Sequence, residues 1–267
     1  MNPILFTIYG PLHIHFYGLC IGIGICLAFY GAYKTMVIEQ KIITTDQLYS
    51  LIFALFLGSF VGGKILYLAE LFMAHELPVL CLGDVMGGFS VLGSIIGALG
   101  VLLYKHRALS LSFLQLTDEL APWALITQSW GRLGCLCAGC CHGLQTTCTL
   151  SVTYTHHNSL AHWLNIPLHP TQLYSSVSLL LLFILIVIVQ RILPKNNTQK
   201  NYGYITAIYL FGVGCERFFM DYLRADTSYF TSLPFSLCTL QQWISAAIMI
   251  SALALIAVLY FKSSRKQ

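Results

Sequence analysis

The stretch SVSLLLLFILIVIVQ, Ser176–Gln190, has no charged side chain and no alternation of apolar with polar positions. A strand of a membrane barrel alternates over about ten residues, because one face meets lipid and the other meets the lumen. A segment that is apolar on every side is a helix in apolar surroundings, and it predicts an all-α integral membrane protein. Charge-free windows repeat the pattern at Tyr17–Tyr33, Gln47–Gly63, Val85–Tyr104 and Leu233–Phe261. At a rise of about 1.5 Å per residue, each covers most or all of a hydrocarbon core about 30 Å thick. The composition agrees. Of 267 residues, 57% are hydrophobic and 9% charged, too few charges for a water-soluble domain of this size.

Working outward, about seven spans are expected, near 14–33, 48–69, 85–104, 119–138, 172–191, 202–222 and 238–261. The chain, 1–267, reads as one polytopic membrane domain, and its longest segment between spans is 139–171. No Lys or Arg precedes Lys34, so the first run lacks the basic region of a secretion signal and is expected to remain as a helix. Ten of the 14 basic residues, Lys34, Lys41, Lys105, Arg107, Arg191, Lys195, Lys200, Lys262, Arg265 and Lys266, follow spans one, three, five and seven. The excess of Lys and Arg on cytoplasmic loops then places the amino terminus outside, the carboxyl terminus inside, and 139–171 in an external cap. The net charge of +4 is on this reading a topology signal, and no nucleic-acid partner is expected.

The other four basic residues are Lys64, Arg132, Arg217 and Arg224. An ionisable group at membrane depth is costly and points to function or to a paired structural site. Lys64, Arg132 and Arg217 each fall roughly 20–24 Å beyond the inner end of a span at helical rise, so one level near the outer leaflet is expected to hold all three. In ERFFMDYLRAD, Arg217, Asp221 and Arg224 stand at i, i+4 and i+7, the spacing of one helix face. Snorkelling charges at a helix end are the plainer reading. A cationic pocket for a lipid phosphate is the sharper one, because the planar guanidinium fork suits phosphate oxygens.

Other polar features collect at the same outer level. HFYG (His15–Gly18), GGFSVLGSIIG (Gly87–Gly97) and HPTQLYSS (His169–Ser176) open spans one, three and five. Gly87, Gly88, Gly93 and Gly97 let a backbone or a ligand approach closely. Behind Arg132, GRLGCLCAGCCHG (Gly131–Gly143) crowds four cysteines and His142. C-x-C-x-x-C-C-H is not a usual structural-zinc spacing, and Cys135 and Cys137 face different sides of one helix, so no metal is expected. A disulfide from Cys140 or Cys141 to Cys148 is one alternative. Small thiols that merely fill space are the other.

In order, HFYGL, GGKILY, GGFSVLGSIIG, DELAPW leading into GRLG, HPTQLY and the Arg217–Asp226 string resemble the bacterial prolipoprotein diacylglyceryl transferases over nearly the whole chain. Position by position, Tyr17 matches the family's amino-terminal tyrosine, Arg132 the arginine of its central signature, Gly143 the closing glycine and Arg217 the late arginine, while Asp221 stands where a glutamate is usual. The usual signature is G-R-x-x-N-F-x-N-x-E-x-x-G. Here Cys135 replaces the first asparagine, Ala138 the second and Cys140 the glutamate, and Leu92 replaces the histidine of F-H-G-G-L-I-G.

The resemblance implies transfer of the diacylglyceryl group of phosphatidylglycerol to the lipobox cysteine in the signal peptide of a prolipoprotein, forming a thioether and releasing glycerol phosphate. It implies no cofactor, and a location in the bacterial cytoplasmic membrane with the active site toward the outer leaflet. Phosphatidylglycerol is expected against Arg132 and Arg217, with Arg224, Lys64, Gly143 and Gln172 beside them, and Tyr17 belongs to the catalytic group. Asp221, His142 or the electropositive field itself are the candidates for thiol deprotonation, Asp221 ranked first. The alternatives are a diverged member with another acceptor, and a thiol- or metal-handling membrane protein built on Cys135–His142.

Overall fold

A computed structural model of the protein describes residues 4–9, 12–73, 88–192, 202–225 and 238–264. Among them are seven α-helices: α1 (Phe16–Ala32), α2 (Thr45–Met73), α3 (Val91–Ala108), α4 (Phe113–Ala138), α5 (Thr171–Ile192), α6 (Tyr204–Asp221) and α7 (Leu240–Ser264). Each expected span falls on one of them, with ends displaced by a few residues. α1 runs on as a π-helical segment over Tyr33–Glu39. By length and composition four are apolar enough to cross a membrane: Phe16–Glu39, Thr45–Met73, Thr171–Ile192 and Leu240–Lys262. α4 and α6 carry the charges that set them apart, Asp118, Glu119 and Arg132 on one and Glu216, Arg217 and Asp221 on the other. Large side chains such as Phe53, Phe56, Leu181 and Ile250 stand exposed along the apolar helices, a surface that lipid covers and water does not.

Local chemistry fixes the helix starts. Thr44 and Gln47 cap α2 reciprocally, the Thr44 amide donating to Gln47 Oε1 (2.8 Å) and the Gln47 amide to Thr44 Oγ1 (3.3 Å). Thr239 and Gln242 repeat the device at α7. This is the capping box, with glutamine at its fourth position. Two short antiparallel ribbons were not expected from the sequence: β1 (Ile4–Tyr9) with β2 (Leu12–His15), and β3 (Val152–Thr153) with β4 (Pro167–Leu168). Gly87, Lys195, Lys200, Asp226, Arg265 and Lys266 lie outside the described residues.

The chain divides into two compact units, Met1–Gly31 with Leu120–Gln267, and Ala32–Glu119. Within the second, α2 packs on α3 along Gly58, Gly62, Gly93 and Gly97, where backbone meets backbone. A Cβ on Gly62, Gly93 or Gly97 would run into the carbonyl of the glycine opposite. That is small-residue packing between membrane helices, as the glycine spacing predicts. Ser90 ties the start of α3 to α2 through Glu70 Oε1 (3.1 Å) and the Gly63 carbonyl (3.2 Å).

Within the first unit, α6 packs on both α5 and α7. Ala121 and Leu125 of α4 share a core with Leu179 and Ile186 of α5 and Ile205 of α6. Polar bonds cross the same interior: Ser129 Oγ donates to the Ser176 carbonyl (3.0 Å), and Gln128 Nε2 to the Tyr209 hydroxyl (2.5 Å). α1 lies against α4, with Gly24 under Trp130 and Gly31 under Trp123.

Gly97→Val is expected to destabilise the fold by about 1–3 kcal/mol through overpacking against the Gly58 carbonyl. Gly100→Ala, on the same helix with nothing within 4 Å of the added carbon, is expected to be neutral or to stabilise by up to about 1 kcal/mol. Detergent-solubilised unfolding midpoints of the two variants check this.

Candidate active site

α4 ends where Gly139 takes φ +84°, the left-handed geometry that closes a helix most cheaply with glycine. The chain then turns through Cys140 and Cys141, the latter at φ +58°, a conformation uncommon for a residue with a side chain. Two side chains of α5 hold that turn. Gln172 Nε2 donates to the Cys140 carbonyl (2.7 Å) and Thr171 Oγ1 to the Cys141 carbonyl (2.8 Å). Tyr154 is fully buried and donates to the Leu136 carbonyl (3.0 Å). Burial raises its phenol above the ordinary range, so it remains a neutral donor.

Beyond the turn, three backbone segments meet. The Gly143 amide donates to the His169 carbonyl (2.9 Å) and the Leu144 amide to the Leu223 carbonyl (2.8 Å), while the Ala225 amide reaches the His142 carbonyl (3.2 Å). A Cβ at Gly143 would stand 2.6 Å from His169 Cβ and 2.8 Å from the carbonyl oxygens of His169 and Leu223, so only glycine fits. This bridge corrects one sequence expectation. Arg224 does not stack on the face of α6 with Arg217 and Asp221, because α6 ends at Asp221. Arg224 arrives in extended backbone paired with Gly143.

The structure thereby brings three arginines from three places in the chain within electrostatic reach of one another: Arg132 of α4, Arg217 of α6 and Arg224. Among the described residues neither the Arg132 nor the Arg217 guanidinium has a hydrogen-bond or ion-pair partner. Asp221 is 3% exposed. Its Oδ2 accepts from Thr239 Oγ1, and its Oδ1 is buried with no hydrogen-bond partner among the described residues. Glu216 faces α5 and accepts from Ser175. Tyr17, at the first turn of α1, packs over Gly134 within electrostatic reach of Arg132, Cys135, Cys140 and Cys141.

Three further candidate residues have defined partners. Lys64 belongs to the second unit, where it donates to the Gly88 carbonyl (3.0 Å) and stands over the Tyr67 ring. His142 is 5% exposed, with Nδ1 3.0 Å from the Gly143 carbonyl and Nε2 3.2 Å from the His162 amide. The carbonyl needs a donor and the amide an acceptor, so the proton is assigned to Nδ1 and both ring nitrogens are engaged. Gln172 is 1% exposed and acts on the Cys140 turn.

The cysteines divide. Cys137 meets Cys20 of α1, whereas the sulfurs of Cys135, Cys140 and Cys141 lie within 4.8 Å of one another. Cys148 is exposed and free, so the Cys148 disulfide weighed from the sequence is not formed. Hydrogen bonds from the Cys135 and Cys140 thiols, aided by the charges of Arg224 and Arg132, hold the Cys141 thiol below its ordinary range.

The sequence model for prolipoprotein diacylglyceryl transferase matches residues 3–258. The chain belongs to that family. It is 33% identical over 228 residues to the phosphatidylglycerol–prolipoprotein diacylglyceryl transferase 2 of Clostridium perfringens, covering 85% of this chain and 84% of the relative. It is 32% identical over 229 residues to the Clostridium tetani enzyme, at 85% and 86% coverage. The Bordetella avium enzyme is 27% identical over 263 residues, at 96% and 94% coverage.

Set in the transferase family, two of the three departures from the usual signature fall on one structural feature, since Cys135 and Cys140 are two of the three clustered thiols, while Ala138 is the last residue of α4. Leu92, in the position of the usual histidine, is 56% exposed on the first turn of α3. Sequence reasoning missed Tyr154 and Thr239. Tyr154 sits in a segment without periodicity, but Thr239 was legible as the first residue of the T-x-x-Q box in TLQQ.

Thr239→Val removes the donor to Asp221 and the cap of α7 together, and is expected to cost about 1–3 kcal/mol. Thr239→Ser, which keeps the hydroxyl, is expected to recover most of the loss in the same unfolding assay.

Proposed function

We propose that the protein transfers the diacylglyceryl group of phosphatidylglycerol to the lipobox cysteine thiol of a prolipoprotein. The observation that carries this reading is the grouping of Arg132, Arg217 and Arg224, with the Arg132 and Arg217 guanidiniums hydrogen-bonded to no described residue. Such a grouping is poised for an anion with several acceptor oxygens, and phosphate is that anion. Family membership supplies the reaction class and favours transfer over a thiol-handling role.

In the proposed reaction the acceptor sulfur attacks the glyceryl carbon that carries the phosphate ester. The C–S bond forms as the C–O bond breaks, and the electron pair leaves on the phosphate oxygen of glycerol phosphate. Arg132 and Arg217 offset the charge that grows on that oxygen, with Arg224 in support. Asp221, with an unengaged Oδ1 among these cations, takes the thiol proton. The field of the arginines favours the thiolate as well. His142 and Gln172 hold the backbone that positions Arg224 and the cysteine turn, and Gly143 lets that backbone close.

The reading includes seven crossings, with the amino terminus outside and the carboxyl terminus in the cytoplasm of a bacterial cell. In support, Lys34 follows α1, Lys105 and Arg107 lie in the last turn of α3, Arg191 in that of α5 and Lys262 in that of α7. Alternate connections thus gather the positive charge. Arg132 and Arg217 then lie toward the outer leaflet, where the lipid donor resides and a signal helix can approach sideways.

In cells depleted of their own transferase, this chain is expected to restore the thioether on a reporter lipoprotein. Arg132→Ala is expected to lower the rate by about 10²–10³-fold, and Arg132→Lys to remain impaired because an ammonium lacks the bidentate fork. Failure of the well-expressed intact chain to restore the thioether would overturn the reading.

A further inference from the structure

Three sulfurs within 4.8 Å of one another have no role in the reaction as described above. Tetrahedral zinc–thiolate bonds of about 2.3 Å set neighbouring sulfurs roughly 3.8 Å apart, so rotamer adjustments of about 1 Å bring Cys135, Cys140 and Cys141 onto one ion. The sequence spacing argued against a metal by counting Cys137 with Cys135. Cys137 instead meets Cys20, and the turn after Gly139 folds Cys140 and Cys141 back over Cys135.

The surroundings are those of a built site. The carbonyls of Cys140 and Cys141 are each pinned by a side chain of α5 at 2.7 and 2.8 Å, one of them the buried Gln172. Cys141 is kept at φ +58°, and an outlier of this kind in a clamped turn points toward function. Ligands held by fixed outer partners bind a metal in one geometry. Three thiolates on a divalent cation leave a net charge of −1, which suits a position beside Arg132 and Arg224. Among the described residues no further Cys, His, Asp or Glu joins the group, and both nitrogens of His142 are engaged. Three protein ligands with one open position is the pattern of catalytic rather than structural zinc.

We propose that Cys135, Cys140 and Cys141 bind a thiophilic divalent cation of the zinc class, with its fourth position open to the acceptor thiol. The second half rests on the transferase reading. The three cysteine protons leave to solvent on binding, and the acceptor's proton passes to Asp221 as its sulfur coordinates. That sulfur then forms the C–S bond as the C–O bond to phosphate breaks, and the metal keeps its oxidation state.

Elemental analysis of the purified full chain, prepared under reducing conditions in detergent, is expected to find about one zinc per chain. Cys141→Ser and Cys140→Ser are each expected to weaken retention against a chelator at least tenfold, and Cys148→Ser to leave it unchanged. Thermal melts of each variant separate metal loss from misfolding. In cobalt-loaded protein, a lipobox peptide with cysteine, but not its serine counterpart, is expected to intensify the thiolate-to-cobalt charge-transfer band. A folded chain free of metal overturns the site, as does a disulfide between two of the three cysteines in a non-reducing peptide map. Cobalt bands indifferent to the cysteine peptide overturn the assignment of the fourth position. All these readouts need no lipid donor, so a chain that binds metal and peptide but fails in complementation sinks the transferase reading alone. A chain that complements without metal sinks only the present proposal.

Discussion

The missing side chain of Gly143 is the constraint on which the site depends. A Cβ there would stand 2.8 Å from the carbonyl oxygens of His169 and Leu223, and the Gly143 amide bonds to the first of them. The segments that follow α4, precede α5 and follow α6 are joined there by main-chain hydrogen bonds. Any Cβ would wedge the three apart. Arg224 is carried on one of those segments and the cysteine turn on another, so the relative position of cation and thiol is set by backbone. Among the described residues the Arg132 and Arg217 guanidiniums enter no salt bridge, which leaves their charge available.

That availability is costly, and the neighbouring elements offset it. Three guanidiniums in mutual reach repel one another, and Arg132 and Arg217 are half-buried, which costs them hydration. Asp221 and Glu216 on α6 supply the nearby negative charge acting on Arg217. Both carboxylates are oriented by hydroxyls from other helices, Thr239 at the cap of α7 and Ser175 of α5. The charges of α6 are thus held by packing on α5 and α7. On the proposed reading, an anion between Arg132 and Arg217 would relieve the remaining repulsion, making binding and charge compensation one event.

The helices were legible because charge-free runs and membrane thickness fix them independently of tertiary detail. The glycine row of α2 and α3 was legible for the same reason, since in lipid close backbone approach is the main way helices associate. Arg224 was misplaced because YLRAD contains no glycine or proline to stop a helix. What ends α6 is the bridge to Gly143, a contact about eighty residues distant in sequence that no local pattern encodes. The ribbons β1–β2 and β3–β4 are too short or irregular for periodicity to show. Cys135 and Cys140 were read as replacements one by one. Their approach depends on Gly139 and on a left-handed Cys141, and the second of these has no sequence signal.

The same backbone logic explains how the signature can change without losing its shape. Asparagine and glutamate at positions 135 and 140 would offer amide and carboxylate groups to bind their surroundings, and cysteine offers almost none in the neutral state. The turn holds nevertheless, because its carbonyls are bound from outside: Leu136 by Tyr154, Cys140 by Gln172 and Cys141 by Thr171. With the carbonyls secured in this way, the side chains at 135 and 140 are released from structural duty. Their chemistry is then selected by what lies beside Arg132, and three thiols can supply there, as thiolates, the negative charge that a single carboxylate would have supplied.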